Sequence, residues 1–404
     1  MPSPDDCSVR RDARVSQTSR LTVRVELTAT RMVAGGDALG RIDDGRVALI
    51  DGALPGERVR IEVTANKADL VRGRVVEVLE ESPARVTPPC VHAREGCGGC
   101  GWQHVAVESQ PQLKLDIIRD ALNRIAHIAD APLAEPVLLP SEGFRTTVRA
   151  LVVDGKPAFR KHQSHDPVMI DSCLVAHPAI DELLREGKFG RATEVTLRVG
   201  VGTGERAALA EPAEIVMDLP PDVMRGKNAM VHEVIDGHTM RVSINSFFQS
   251  RTDGAATLAR LVREATGPDK LIADLYCGVG LFAVTADRPK RVVAVERGRS
   301  AVADAKHNLK GYDARVTRAD VGKWHGSKVD VVIADPSRAG LGKDGARTVL
   351  ACDAERVVLV SCDAAALARD IGLLVGADYK LTSVTLVDLF AHTPHIECVT
   401  VLDR

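Results

Sequence analysis

Leu271-Ile272-Ala273-Asp274-Leu275-Tyr276-Cys277-Gly278-Val279-Gly280-Leu281-Phe282 reads as a buried strand that runs into a glycine turn and then into a helix. Gly278 and Gly280 let a ligand approach the backbone closely. Glu296, at the end of the next apolar run, stands where a carboxylate binds ribose hydroxyls. A nucleoside-type ligand follows. The dinucleotide fingerprint needs a third glycine to clear a pyrophosphate, and that position is Ala283, so S-adenosylmethionine, which has no phosphate, fits better than NAD. A tight strand-to-helix corner without a ligand is the plainer reading of the glycines taken alone.

Outward from that stretch the pattern of apolar strand, turn and helix repeats at 291–295, 329–334 and 356–361, with 314–318 a further strand-like run. Such alternation predicts a parallel, doubly wound sheet. The runs 381–389 and 396–402 lie too close for a helical crossover and are expected to form an antiparallel hairpin at the sheet. Asp335 directly follows the fourth strand and Cys362 ends the fifth, both at the carboxyl edge where open α/β folds hold ligands. A helix expected over 364–375 is predicted to lower the Cys362 thiol pKa and make it a nucleophile, although a small buried apolar cysteine is the commoner fate. The turn before the last strand carries His392, His395 and Glu397, whose carboxylate could remove a proton or simply face solvent. Asp320, after 314–318, is where an adenine amino group could be met, with a surface-turn aspartate as the alternative.

Toward the N-terminus, β-rich runs at 21–28, 46–50, 58–64 and 70–79 recur between turn signals and predict a small β-barrel over 21–82. Residues 83–100 hold Cys90 and Cys97-Gly98-Gly99-Cys100 with too little apolar material for a core, and read as a metal-organised loop. A helical period covers 110–128, and 144–242 alternates strand-like with loop-like pieces, giving a central α+β domain over 83–250. The doubly wound domain takes 251–404, and residues 1–20, without an apolar run, are expected to be a disordered tail.

With 404 residues, 45% hydrophobic and 27% charged, the chain is long enough for several domains and too apolar for bulk disorder. Its longest apolar stretches fall far short of the roughly 18 residues that span a bilayer, so no membrane segment is expected. Nine cysteines without an export signal argue for a reducing compartment, the cytoplasm by default. The net charge of −2 gives no global sign of nucleic acid. Locally, 144–163 sets Arg145, Arg149, Lys156, Arg160 and Lys161 against Asp154 alone, which is either an RNA-facing stretch or a solvated strand face.

Taken in order, Cys90 with Cys97-Gly98-Gly99-Cys100-Gly101-Trp102-Gln103-His104, Asn245-Ser246-Phe247-Phe248-Gln249, Asp274-Leu275-Tyr276-Cys277-Gly278-Val279-Gly280, Ser361-Cys362 and His395-Ile396-Glu397 resemble the RNA 5-methyluridine (uracil-C5) methyltransferases. Within them the resemblance is to the branch with an N-terminal TRAM barrel and an iron–sulfur cluster, acting on 23S rRNA. It implies an α/β multidomain fold: a TRAM/OB-like barrel, a central α+β domain with a metal-cluster loop, and a C-terminal Rossmann-like class I methyltransferase domain. Uracil C5 is too weak a nucleophile to take a methyl group unaided, so a thiolate adds to C6. By the match Cys362 is that nucleophile and Glu397 the base that strips the C5 proton. Gln249, Tyr276, Glu296, Asp320 and Asp335 contact S-adenosylmethionine, with Asp335 also facing the uracil edge. Cys90, Cys97, Cys100 and Cys173 are the thiolates of a 4Fe–4S cluster, with zinc the alternative that four thiolates suit equally by count. The implied partner is RNA, most of all 23S rRNA, bound by a monomer.

The chain departs from the family where Pro336-Ser337-Arg338 replaces Pro-Pro-Arg, where Asp363-Ala364 replaces Asn-Pro after the cysteine, and where Leu281 replaces a commonly polar residue. Other readings are a tRNA uracil-C5 methyltransferase, an RNA-binding assembly factor with an inactive methyltransferase domain, and a small-molecule methyltransferase. The presence of both Cys362 and Glu397 favours catalysis.

Overall fold

Five short strands close on themselves at the start of the computed structural model, which describes residues 23–404; the expected tail, 1–20, lies outside the described residues. They are β1 (Arg24–Met32), β2 (Ala38–Arg41), β3 (Val47–Asp51), β4 (Arg58–Asn66) and β5 (Leu70–Glu80), joined in the order β1-β2-β3-β5-β4. Alternate residues such as Ala48, Ile50, Val59 and Ile61 fill the interior, as a small barrel requires. The expected runs match four strands. The fifth, β2, is a four-residue strand containing Gly40, where a Cβ would lie 2.7 Å from the Thr28 carbonyl oxygen, so the residue that permits the pairing also hides the strand.

The chain then forms a short helix α1 (Val91–Arg94) and the longer α2 (Gln110–Ile125). The strands β6 (Thr147–Val153), β7 (Lys156–Arg160) and β8 (Pro167–Met169), the helix α3 (Pro178–Glu186), and β9 (Glu194–Val199), β10 (Arg206–Glu211) and β11 (Val223–Arg225) follow. The six strands make one sheet in the order β11-β10-β9-β6-β7-β8, with Ile180, Leu183 and Leu184 of α3 in its core. A separate hairpin, β12 (Met230–Ile235) with β13 (His238–Ser243), leads to the last layer.

That layer comprises α4 (Thr252–Thr266), β14 (Leu271–Leu275), α5 (Leu281–Thr285), β15 (Arg291–Glu296), α6 (Arg299–Asn308), β16 (Ala314–Arg318), β17 (Val331–Ala334), α7 (Gly342–Ala351), β18 (Arg356–Ser361), α8 (Ala364–Val375), β19 (Lys380–Leu386) and β20 (Cys398–Asp403). The sheet order is β16-β15-β14-β17-β18-β20-β19, parallel from β16 to β18, with β20 antiparallel to both its neighbours. Alternation decides which face each strand residue serves. Ala273, Leu275, Val332, Val357 and Leu359 join the core under α2, α7 and α8, while Ile272, Ile333, Val358 and Val360 join the core under α4, α5 and α6. Each Val, Leu or Ile among them contributes about 1.5–3 kcal/mol of burial, which is why both faces are covered. The first core is continuous with the barrel interior and with α2, whose Ile118 and Leu122 lie with Leu367 and Ile371 of α8.

The closing hairpin is present, but the expected run 381–389 stops at Leu386, with Val387 still donating to the Glu397 carbonyl, and 388–396 leaves the sheet as a long excursion. Leu133 and Val137 bridge in parallel to Val384 and Val387, covering the edge that β19 exposes. Among the described residues no helix is long and apolar enough to cross a membrane.

Candidate active site

Strand order reverses beside β14, and the open cleft of an α/β sheet forms at that switch point. The backbone turns there with left-handed residues at three alternate positions, Tyr276 at φ 61°, Gly278 at 54° and Gly280 at 93°. A Cβ on Gly278 would meet nothing within 4 Å, so this glycine opens onto space rather than onto a neighbouring chain. Tyr276 is the one of the three whose side chain strains in that region, a cost of about 1–3 kcal/mol that clusters at ligand sites. Asp274, fully buried, accepts a hydrogen bond from the Ala283 amide (3.1 Å) and so ties the turn to α5; burial pushes its carboxyl up to about 8. The Glu296 carboxylate accepts from the amides of Gly298 (2.5 Å) and Gly278 (3.3 Å), holding it at the cleft. Asp320 accepts from the Gly322 amide at 3.0 Å and caps the turn behind it. Gln249, Tyr276, Gly278, Glu296, Asp320 and Asp335 all line one cleft of about 690 Å³, in the size range of small-molecule and cofactor sites. Gly280 stands behind them against Ala305 and Leu309.

The far wall of the same cleft holds Cys362 at the end of β18, Asp335 at the end of β17, and Glu397 one residue before β20. Burial is the first cause that raises Asp335 to about 7 and Glu397 well above the usual carboxylate range, the second through Asp335's charge as well. The expectation of a lowered thiol pKa at Cys362 is overturned. Burial, then the charges of Glu397 and Asp335, push it up to about 12, and Arg338 opposes them only in part. The start of α8 gives no relief, because the Asp363 carboxylate accepts from the Ala366 amide (2.8 Å) and meets the positive helix end itself. The thiol is therefore protonated at rest and sits beside two carboxylates whose affinity for protons is enhanced.

Several buried polar side chains that no sequence pattern singled out hold this wall in place. Arg198 of β9 donates to the carbonyls of Ser243 (2.6 Å) and Ser246 (2.8 Å). From the other side the fully buried Asp304 of α6 accepts from Ser246 Oγ (2.6 Å) and from Arg241 (2.8 Å). Between them they fix the segment that ends at Gln249, whose side-chain amide reaches Asp335 at 3.5 Å. The excursion after β19 is bound in turn by Lys114 and Gln110 of α2 and by Arg251, which donates to the Leu389 carbonyl at 2.9 Å and stacks 4.3 Å from the Phe144 ring centre. A charged residue meant for burial looks like any surface charge in a single sequence, so nothing in the pattern could have found these.

Comparison with known proteins fits the geometry. The profile of the tRNA (Uracil-5-)-methyltransferase family matches residues 314–404, and that of the TRAM domain matches residues 17–76. An "Uncharacterized RNA methyltransferase" of Streptomyces avermitilis is 34% identical over 415 aligned positions, covering 91% of this chain and 95% of the relative. The 23S rRNA (uracil(1939)-C(5))-methyltransferase RlmD of Methylococcus capsulatus is 31% identical, covering 89% of this chain and 93% of the relative. The chain belongs to the RNA uracil-C5 methyltransferase family. Among solved structures, the Pyrococcus abyssi tRNA (uracil-54, C5)-methyltransferase in complex with S-adenosyl-L-homocysteine shares its fold, with a TM-score of 0.70 and 24% identity over 93% of this chain and all of that one. As a family member the protein is an RNA methyltransferase dependent on S-adenosylmethionine, with a TRAM barrel at its N-terminal end.

The methyltransferase carries its four remaining singled-out cysteines in one place. Cys90, Cys97, Cys100 and Cys173 line a cavity of about 200 Å³ between the 90–103 loop and the central sheet. All four are free thiols, and burial pushes Cys100 up to about 12 and Cys97 and Cys173 upward as well. Four convergent thiols, with Arg145 in the same lining, are the donor set that an iron–sulfur cluster or zinc uses. Among the described residues, however, no three such side chains are drawn tightly enough together to form a ready-made metal group. The nearby basic stretch is less free than its composition implies, since Arg149 and Arg160 both pair with Glu194. Arg149, Arg160, Lys161 and His162 nevertheless border a groove of about 510 Å³ next to Gly98 and Gly99.

Proposed function

We propose that this enzyme methylates C5 of a uridine in the 23S rRNA through a covalent bond between Cys362 Sγ and uracil C6. The observation that carries the reading is the meeting, in one cleft, of a thiol and two carboxylates at the ends of β17, β18 and β20 with the nucleoside-type site at β14 and β15. The rRNA preference is supported by relatives named for 23S rRNA at 31% and 32% identity.

Glu296, Asp320, Gln249, Tyr276 and Asp335 hold S-adenosylmethionine, which supplies an electrophilic methyl group. Cys362 gives its proton to Asp335, which leaves Glu397 free to act as base, and its sulfur then bonds to C6, pushing an electron pair of the C5–C6 double bond onto C5. The enriched C5 takes the methyl group as the sulfonium carbon–sulfur bond of S-adenosylmethionine breaks and S-adenosylhomocysteine is left; Glu397 removes the C5 proton, and the electron pair left behind reforms the double bond as the Cys362 sulfur departs and takes back a proton from Asp335. Asp335 and the buried Glu397 share the cleft with Cys362, so the thiol proton and the C5 proton each have an acceptor there, and the one net proton of the reaction leaves after turnover. Gln249 and Asp335 orient the uracil edge, which must first leave its stack in the RNA.

In this reading residues 21–82 and the groove beside Gly98 bind RNA, and residues 251–404 carry the chemistry. Cys90, Cys97, Cys100 and Cys173 hold a 4Fe–4S cluster that shapes the RNA-facing loop, and the chain works as a cytoplasmic monomer. Protein purified without oxygen then yields about four iron and four acid-labile sulfide per chain, and about one zinc with no sulfide rejects the cluster. The activity is tested with labelled S-adenosylmethionine and 23S rRNA or tRNA transcripts. Label is expected on the C5 methyl of a uridine in the rRNA from the native protein and none from Cys362→Ala. Equal label from both rejects the mechanism, and label on tRNA alone rejects the substrate.

A further inference from the structure

Lys114 is fully buried, yet nothing in the chemistry above uses it. It lies on the inner face of α2 among Leu115, Ile117 and Ile118. Its Nζ donates to Asp388 Oδ1 at 2.6 Å and to the Phe390 carbonyl at 3.0 Å. Asp388 opens the excursion between β19 and β20, and it too is buried. One turn earlier on the same helix, Gln110 accepts from the His392 amide at 2.7 Å and donates to the Val105 carbonyl at 2.9 Å. Two residues of α2 thus fasten the excursion at 388, 390 and 392. The far end of that stretch faces the cleft: Phe390 and His395 meet edge to face at 6.1 Å, and Glu397 follows beside Cys362.

A buried ion pair adds little net stability over an apolar pair of the same shape, because desolvation offsets attraction. What it fixes is position, and here it fixes backbone: an ammonium placed between a carboxylate and a carbonyl defines where the Phe390 peptide lies. We propose that Lys114 is a positioning residue of the methyl transfer, holding Asp388 and the Phe390 carbonyl so that Phe390, His395 and Glu397 form a fixed wall against Cys362. The proposal rests on the covalent mechanism above; adduct formation by the unaltered enzyme tests that mechanism, and the variants below test the strap.

Lys114→Met alone strands the Asp388 charge and can fail to fold, so the deciding variant is Lys114→Met/Asp388→Asn, which removes both charges. Asp388→Asn by itself leaves the ammonium on the Phe390 carbonyl. In the full-length protein the double variant is expected to lose at least thirtyfold in kcat on RNA, with S-adenosylhomocysteine affinity and KM for S-adenosylmethionine within threefold of the native values. Asp388→Asn is expected to keep kcat within fivefold. Loosening of the wall also lets water reach Glu397, which faces Asp335 and Cys362, so the rise of the single-turnover rate with pH is expected to move to lower pH in the double variant. Full kcat in the double variant, or a loss of kcat matched by an equal loss of S-adenosylhomocysteine affinity with the pH rise unmoved, overturns the proposal. A thirtyfold loss in Asp388→Asn alone overturns it as well, since the carboxylate and not the lysine would then be the anchor.

Discussion

In the mechanism proposed above, Cys362 acts as a nucleophile in a place that disfavours its thiolate. Burial and two carboxylates push the thiol up to about 12, so the attacking form exists only when a proton passes to Asp335 or Glu397 at the moment of attack. The single-turnover rate is therefore expected to rise with pH through about 7, where Asp335 titrates, and to keep rising as Glu397 ionises; a rate flat from pH 6 to 9 contradicts this. Stability moves the other way. A carboxyl whose native pKa is raised binds more protons folded than unfolded, so its cost to the fold is absent near pH 4 and grows as pH climbs through 7. Asp335→Asn is accordingly expected to raise the thermal midpoint at pH 8 and leave it unchanged near pH 4, while turnover falls by at least a hundredfold. Calorimetry at the two pH values checks it. The positions of Cys362 and Glu296 at the cleft were legible because each stands at the end of a strand of strong apolar period, and that of Glu397 because it directly precedes one. The direction of the thiol shift was not, since it depends on how many carboxylates the fold folds inward beside it.

At the level of elements, the chemistry depends on segments pinned from outside their own layer. The loop after β13 belongs neither to the central sheet nor to the methyltransferase sheet, and it is held by Arg198 from one and Asp304 from the other. Arg198→Met leaves the carbonyls of Ser243 and Ser246 without their donor, at about 1–3 kcal/mol each. It is expected to lower the thermal midpoint by roughly 5 °C and to weaken S-adenosylhomocysteine binding about tenfold through Gln249, measured by calorimetry; unchanged affinity removes Gln249 from the cofactor site. The parallel strands and α8 were readable from period alone, and 364–375 is matched at both ends. The excursion 388–396 was not, because Leu389 and Ile396 continue an apolar pattern that looks like strand, and the anchors on α2 and Arg251 draw it off the sheet.

For the whole molecule, the barrel is no loose appendage. Its core runs into α2, and the turn after β1 brings Gly36 against the active-site excursion: a Cβ there would lie 2.6 Å from Pro394, and Trp102 Nε1 donates to the Gly36 carbonyl at 3.3 Å. Removing residues 1–80 is therefore expected to abolish turnover on RNA and not merely to weaken binding, whereas Gly36→Val, which keeps the barrel, is expected to cost about tenfold in kcat with little change in RNA affinity. Filter binding beside turnover separates the two, and a Gly36→Val enzyme of full activity contradicts the coupling. The presence of a barrel and of a doubly wound sheet could be read from turn spacing and alternation. That they share one core could not, because contacts between residues as far apart as Gly36 and Pro394 leave no local mark. The central claim, that one sulfur bonds the pyrimidine, is tested most directly with RNA carrying 5-fluorouridine at the target position, where the fluorine cannot leave as a proton does. Mass spectrometry is expected to find a methylated RNA peptide joined through Cys362, absent in Cys362→Ala; methyl transfer to unmodified RNA with no such adduct on the fluorinated RNA contradicts it.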